Sequence, residues 1–490
     1  MSDDTLLVIA VAGVAALLLL ILRAKVQPFV ALVVVSVGVA LAAGVPAADV
    51  VKTVEEGMGA TLGHIATIIA LGAMIGRIIE VSGGAHAFAH ALIDRFGGKR
   101  TPLALTVAGF VLGIPVFFEV GLIILMPIAY GVARASRRPL LVYALPMGAA
   151  MLTVHAFLPP HPGAVAAVEA IGASQGLVLL MGIPLTAVVV LMGHLVARRL
   201  TRRAYPMDPA VYAEVYGDQE PGPDGGGTGT AGTNDAAPDL TASPAAVGDG
   251  HRTAVLSRPA ATATGIRPPS LGMVLTLIVT PILLILLGTL GQNLLADGSP
   301  LRAVLTVLGA PMVALLIDLA LCAYFLGARR GWSRAHLAEV MGSALPSVAM
   351  VILVAGAGGV LGKVLIAGGI GDAVADVLER SGLPALALAF VTALALRAAL
   401  GSTTVALITT AGILTPLLQR AELSTGQLSL VALAMGAGGL AVSHINDAGY
   451  WMFTRLVGLD VPTGLRTWTV LTTAMGLMGF ALTACLWPLV

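Results

Sequence analysis

Two charged side chains in this sequence stand where charge is costly. Glu119 is the only charged residue between Pro102 and Ala133, and Arg397 the only one between Pro384 and Gln419; both stretches are otherwise apolar. Ionisable groups at membrane depth mark substrate, ion or proton pathways. Glu119 lies in the run Gly113-Ile114-Pro115-Val116-Phe117-Phe118-Glu119-Val120-Gly121, whose proline and glycines break a helix. A carboxylate there would handle protons or substrate; the alternative is a structural carboxylate paired with Arg397. Arg397 would hold a substrate carboxylate in its planar fork, or serve as a fixed counter-ion. After it comes Gly401-Ser402-Thr403-Thr404, whose hydroxyls would hydrogen-bond a polyol, ligate a cation or merely cap a half-helix.

Two further polar clusters interrupt apolar stretches: His155 with Leu158-Pro159-Pro160-His161-Pro162-Gly163, and Ser443-His444-Ile445-Asn446-Asp447-Ala448-Gly449. Histidine titrates near neutral pH, so His155 and His161 join Glu119 as candidates for proton coupling, although each singly reads equally as a satisfied core residue. His444, Asn446 and Asp447 offer the paired donors and acceptors a hydroxylated ligand needs. With Arg397, Ser402, Thr403 and Thr404 they form the expected substrate-binding set. Pro115 and Phe117, at the first tip, are added to it, though Phe117 and Phe118 also read as packing.

The elements that must position these groups are membrane helices. The chain has 490 residues, 57% of them hydrophobic and 11% charged, with a mean hydropathy of +0.95, values that exclude a soluble multidomain enzyme. One crossing takes roughly 20 apolar residues, so 101–135 is too long for one and too short for two with a turn. A re-entrant hairpin fits, because broken backbone at membrane depth is tolerated where protein or a wet cavity surrounds it. The first half, 1–197, reads as three helices, an interfacial helix from Ala85 to Phe96, the hairpin 101–135, a broken helix 140–170 and a closing helix. The composition of Tyr205 to Pro269, with Gly225-Gly226-Gly227, predicts a flexible cytoplasmic linker within 198–269. The second half, 270–490, reads as three helices (Leu301 to Leu326 as a single crossing), an interfacial flank bearing Asp372, Asp376 and Glu379, a hairpin 384–419, a broken helix 428–458 and a closing helix.

The halves share a pattern. Gly72-x3-Gly76-Arg77-x5-Gly83 recurs as Gly358-x3-Gly362-Lys363-x5-Gly369, and the same offset lays Pro115 to Phe118 on Gly401 to Thr404. Placing Arg77, Lys99, Arg100, Arg134, Arg137, Arg138, Arg198 and Arg199 in the cytoplasm puts both termini outside the cell and starts the second half on the opposite face. The expected fold is therefore an all-α polytopic membrane protein with an inverted-topology repeat: about ten transmembrane helices, two re-entrant hairpins and two broken helices.

Several chemistries find no support. A net charge of +1 without a basic stripe argues against nucleic acid. Cys322 and Cys485 lie inside apolar runs, so neither a disulfide framework nor a thiolate metal site is expected. Gly172-Ala173-Ser174-Gln175-Gly176 has the spacing of a nucleophile elbow but falls between membrane helices rather than on a strand-to-helix turn. Gly362-Lys363 lacks the remainder of a phosphate-binding loop. No cofactor or metal is expected. Two function classes stay open from the residues: a secondary symporter and an intramembrane enzyme.

Gly113 to Gly121, His155 to Gly163, Arg397 with Gly401-Ser402-Thr403-Thr404-Val405, and Ser443 to Asp447 together resemble the gluconate permease (GntP) family of proton symporters, over both halves but not the linker. The resemblance implies import of gluconate or a related sugar acid with protons across the bacterial plasma membrane. It also implies kinship with the wider ion transporter superfamily, whose hairpins move in an elevator-like domain against a dimeric scaffold, and hence a homodimer. Sodium-coupled carboxylate transport is the alternative, since tip carbonyls and hydroxyls would also ligate a cation.

Overall fold

Helix boundaries follow the prolines, glycines and polar caps that interrupt the apolar sequence. The computed structural model describes residues 1–96, 98–216, 269–370, 373, 384–445 and 447–490. The first half holds α1 (Asp3–Leu22), α2 (Pro28–Ala42), α3 (Ala47–Val81), α4 (Gly84–Phe96), α5 (Thr101–Leu112), α6 (Phe118–Ser136), α7 (Leu141–Phe157), α8 (Pro162–Ala170) and α9 (Gln175–Leu200). After α10 (Pro209–Tyr216) the second half supplies α11 (Leu271–Leu294), α12 (Pro300–Leu308), α13 (Pro311–Cys322), α14 (Arg334–Ala367), α15 (Ala385–Leu400), α16 (Thr403–Arg420), α17 (Thr425–Leu440) and α18 (Ala448–Val457). A π turn, Leu465–Thr469, then leads into α19 (Val470–Leu486). Among the described residues nine helices are long and apolar enough to cross a membrane, and Pro28–Ala42, Thr101–Leu112, Ala385–Leu400 and Thr425–Leu440 are shorter apolar helices.

Side-chain caps start several of these helices where the sequence offers an oxygen before the apolar run. Gln27 accepts from Val30 N at 3.2 Å, and Ser424 with Gln427 forms a reciprocal capping box. Ser174 caps α9, so the Gly172–Gly176 stretch is a helix-to-helix turn.

Four helix breaks separate α5 from α6, α7 from α8, α15 from α16 and α17 from α18. The core between them is the pair of long helices α3 and α14, which lie along one another. Small residues allow that approach: a Cβ on Gly57 would come within 2.8 Å of Val360 Cα, and Gly359 sits against Thr61. α8 packs on α3 and α16 on α14, while α5 packs on α7 and α15 on α17, so each hairpin leans on the broken helix of its own half.

Two expectations need correction. Leu301 to Leu326 is not one helix: Gly309-Ala310 separates α12 from α13, and Pro311 starts the second piece with a missing N–H that no preceding turn needs. The segment after Tyr205 does not begin as a flexible linker. Pro209–Tyr216 is helical and anchored, with Asp208 N donating to Gly458 O at 2.8 Å, Arg134 Nε to Val215 O at 2.5 Å, and Tyr216 Oη to Arg138 O at 2.8 Å. The remainder of the linker, and the acidic flank Asp372, Asp376 and Glu379, lie outside the described residues.

The α3 face against the first hairpin is fitted to glycine. A Cβ on Gly76 would collide with Pro115 O, a backbone atom that cannot rotate away. Gly76→Ala is expected to destabilise the protein by about 1–3 kcal/mol through overpacking. Thermal melting in detergent checks this; an unchanged melt would mean the tip gives way freely.

Candidate functional site

The first hairpin unwinds at Gly113 to Phe117, and α6 restarts at Phe118 with no side chain capping its amino end. Glu119 occupies the first turn of α6. Gly113 to Val116 and Phe118 are buried but Glu119 is exposed, and no side chain among the described residues pairs with it.

The first broken helix stops at Phe157 and resumes at Pro162, again without a side-chain cap. His161 Nε2 lies 2.5 Å from Gly113 O and so must carry the proton of that bond, tying the break to the hairpin. The His155 and His161 ring centroids are 4.6 Å apart, and Phe117 meets them edge-on at 6.4 and 6.0 Å. His155 Nδ1 is buried without a hydrogen-bond partner.

In the second hairpin α15 ends at Gly401, whose φ of 74° suits a residue without a Cβ. Arg397, 1% exposed, donates through Nη1 to Gly401 O and through Nη2 to Asp447 Oδ2. Ser443 Oγ also donates to Asp447 Oδ2, and Trp468 Nε1 donates to Ser443 Oγ at 2.7 Å. Asp447 Oδ1 accepts from Gly449 N at 2.9 Å and thereby caps α18. His444 Nε2 lies 3.0 Å from Ala398 O.

The ion-pair partner of Arg397 is Asp447 rather than Glu119. Each terminal nitrogen donates one hydrogen bond inside the protein, and Nε is buried without a hydrogen-bond partner. Both Asp447 oxygens accept hydrogen bonds within the protein. Ser402 caps α16, accepting from Val405 N at 3.3 Å, and Thr403 donates to Gly439 O at 3.1 Å. Thr404 is half-buried, and its hydroxyl has no partner among the described residues. Asn446 lies outside the described residues.

The four breaks meet across the halves. A Cβ on Gly163 would stand 2.9 Å from Thr404 Cα, placing the amino end of α8 at the second tip. One on Gly449 would stand 3.0 Å from Phe118 Cε1, placing the amino end of α18 at the first tip. Glu119 lies within coulombic reach of Asp447, and His155 of both Arg397 and Asp447. The amino ends of α6, α8, α16 and α18 thus gather around one polar region, an arrangement suited to an anion. Pro115 lies against Gly76 and lines a cavity with Pro159, Pro160 and Asp318. Sequence reasoning misses Asp318 because no helix break adjoins it; its one signal is a lone carboxylate in an apolar run.

The chain matches the family model described as GntP family permease over residues 5–221 and 253–490. It is 45% identical over 492 residues to the inner membrane permease YgbN of Escherichia coli (strain K12), with 100% of each chain covered. It is 36% identical to a gluconate permease of Bacillus licheniformis, over 98% of this chain and 99% of that one. With the Gnt-II system L-idonate transporter of Escherichia coli (strain K12) it shares 32% identity over 96% and 97% of the two chains. Among solved structures it is similar to the YdaH transporter of Alcanivorax borkumensis, with a TM-score of 0.59 and 14% identity over 94% of this chain and 98% of that one. It is also similar to MtrF of Neisseria gonorrhoeae, with a TM-score of 0.62 and 13% identity over 94% of each chain. At these identities the structural likeness is one of fold.

Proposed function

Because the chain belongs to the GntP family of permeases and is a multi-pass protein of the cell membrane, we propose that it imports gluconate or a related sugar acid by proton symport. The observation that carries the reading is the meeting of four helix amino ends, two from each half, beside an exposed Glu119 and an unpartnered Thr404 hydroxyl. A sugar acid brings one negative charge for the N–H groups and several hydroxyls for Thr404, Ser402 and His444. Relatives named as gluconate permeases and an L-idonate transporter support that substrate class.

In this reading the hairpins and broken helices, bound to one another by His161, His444 and Arg397, travel as a unit between the two faces of the membrane. The remaining helices form a scaffold that dimerises. Both termini lie outside the cell and the linker inside, with the halves inverted. The shared anchoring of Arg134 and Arg138 by α10, just beyond the Arg198 to Arg203 cluster, supports a single basic face. Arg397 acts by holding Asp447 and the second tip in shape, and Glu119 carries the coupled proton.

The two tip threonines separate the binding role from the structural one. Thr404→Val is expected to raise the apparent KM for gluconate about threefold to tenfold, the cost of one hydrogen bond, with little change in melting. Thr403→Val, which strands Gly439 O, is expected to lower stability by about 1–3 kcal/mol. Uptake of labelled gluconate into proteoliposomes, alongside thermal melting, tests both; equal KM values for Thr404→Val and wild type would remove Thr404 from the site.

A further inference from the structure

The cavity under the first hairpin tip contains a carboxylate that this reading leaves unused. Asp318, on α13, is 0% exposed, and its Oδ1 has no hydrogen-bond partner. Oδ2 meets only Cys322 Sγ, one turn along the same helix, at 3.9 Å. The cavity measures about 30 Å³, and a water needs about 10–15 Å³ on such a measure. No lysine, arginine or histidine lines it.

Among the described residues lining the cavity none supplies a counter-charge. α3 presents Ile68, Gly72 and Ile75, and α11 presents isoleucines and Pro281. α9 presents Gln175, whose amide donates to Glu169 at 2.5 Å. An unpaired carboxylate anion in such a wall is strongly disfavoured, so this conformation accommodates Asp318 as the neutral acid. The fourth side of the cavity is Ile114 and Pro115 of the hairpin tip with Pro159 and Pro160 of the broken helix. Those segments belong to the unit that would travel, whereas α3, α11 and α13 belong to the wall it would slide along.

We propose that Asp318 is a second proton-binding site of the transport cycle, set in the wall opposite the first hairpin tip. This rests on the proton-symport reading. The carboxylic acid keeps its proton while Pro115 and Pro160 cover it. When they move off, water of one face reaches Oδ1, the O–H bond breaks and the proton passes to that water; the hydrated carboxylate then takes a proton from water admitted from the opposite face before Pro115 and Pro160 cover it again. The cavity, the missing partner and the moving lid together distinguish Asp318 from a carboxylate that merely fills space.

The test uses the full chain in proteoliposomes, counting protons taken up per labelled gluconate with a pH-sensitive dye. Asp318→Asn is expected to retain gluconate exchange and to lose one proton per gluconate relative to wild type, and Asp318→Glu to restore the count. An Asp318→Asn variant with the wild-type count overturns the inference alone. A wild type that takes up gluconate without protons fails the symport reading itself. Independently of any variant, dicyclohexylcarbodiimide, an apolar reagent for protonated carboxyl groups, is expected to label Asp318 in the wild type; resistance of Asp318 from acidic to neutral pH would contradict the proposal.

Discussion

Arg397→Met is expected to lower stability by about 3–5 kcal/mol, because it strands a buried carboxylate. Asp447 is 6% exposed and caps α18 through Gly449 N, so it cannot swing to water without unwinding the second break. Arg397→Lys recovers only part of the loss, since one ammonium cannot reproduce the paired donation to Gly401 O and Asp447. The double substitution Arg397→Met with Asp447→Asn should cost less than the sum of the two single changes, because the asparagine amide would still accept from Gly449 N and would leave no bare charge. Thermal melts of the four proteins measure this. Additive losses would mean that Arg397 and Asp447 are not coupled, and that the guanidinium is available to a ligand after all.

The breaks in the fold were legible because their signals are local. Proline and glycine inside apolar stretches, each beside a single charge, located both hairpin tips, and Leu158 to Gly163 with Ser443 to Gly449 located both broken helices. The glycine spacing pointed to close helix contacts, which demand small residues: Gly76 meets Pro115 O, and Gly362 stands 3.3 Å from Gly412 O by its projected Cβ. Partner choice was not legible. Nothing in the sequence distinguishes Glu119 from Asp447 as the mate of Arg397, because that is decided by how the second break folds back on the second hairpin. The division of the threonines was hidden for the same reason: Ser402, Thr403 and Thr404 are adjacent hydroxyls, yet one caps, one bonds Gly439 O and one is left open. Pro209–Tyr216 was concealed by the Gly- and Pro-rich composition that follows it. Its helix is held by Arg134 and Gly458, both distant in the chain.

Glu119→Gln carries the other large expected effect. The carboxylate sits in the first turn of α6, exposed and without a side-chain partner, beside the region where the four helix ends meet. In the proposed cycle its protonation accompanies substrate binding and permits the loaded hairpins to cross, while the bare carboxylate, left in an apolar passage, holds them back. Glutamine copies the protonated side chain in shape and stays neutral at every pH. Binding and exchange should therefore survive within about a threefold to tenfold change, the scale of one altered hydrogen bond. Accumulation against a gradient should not survive, because crossing of the loaded hairpins no longer depends on a proton taken up and released at Glu119.

The most direct measurement compares wild type and Glu119→Gln in proteoliposomes, for labelled gluconate exchange at equal pH and for uphill accumulation under an imposed pH gradient. Exchange is expected in both, and protonophore-sensitive accumulation in the wild type alone. Full uphill accumulation by Glu119→Gln, or wild-type accumulation driven by sodium and indifferent to a protonophore, would contradict it.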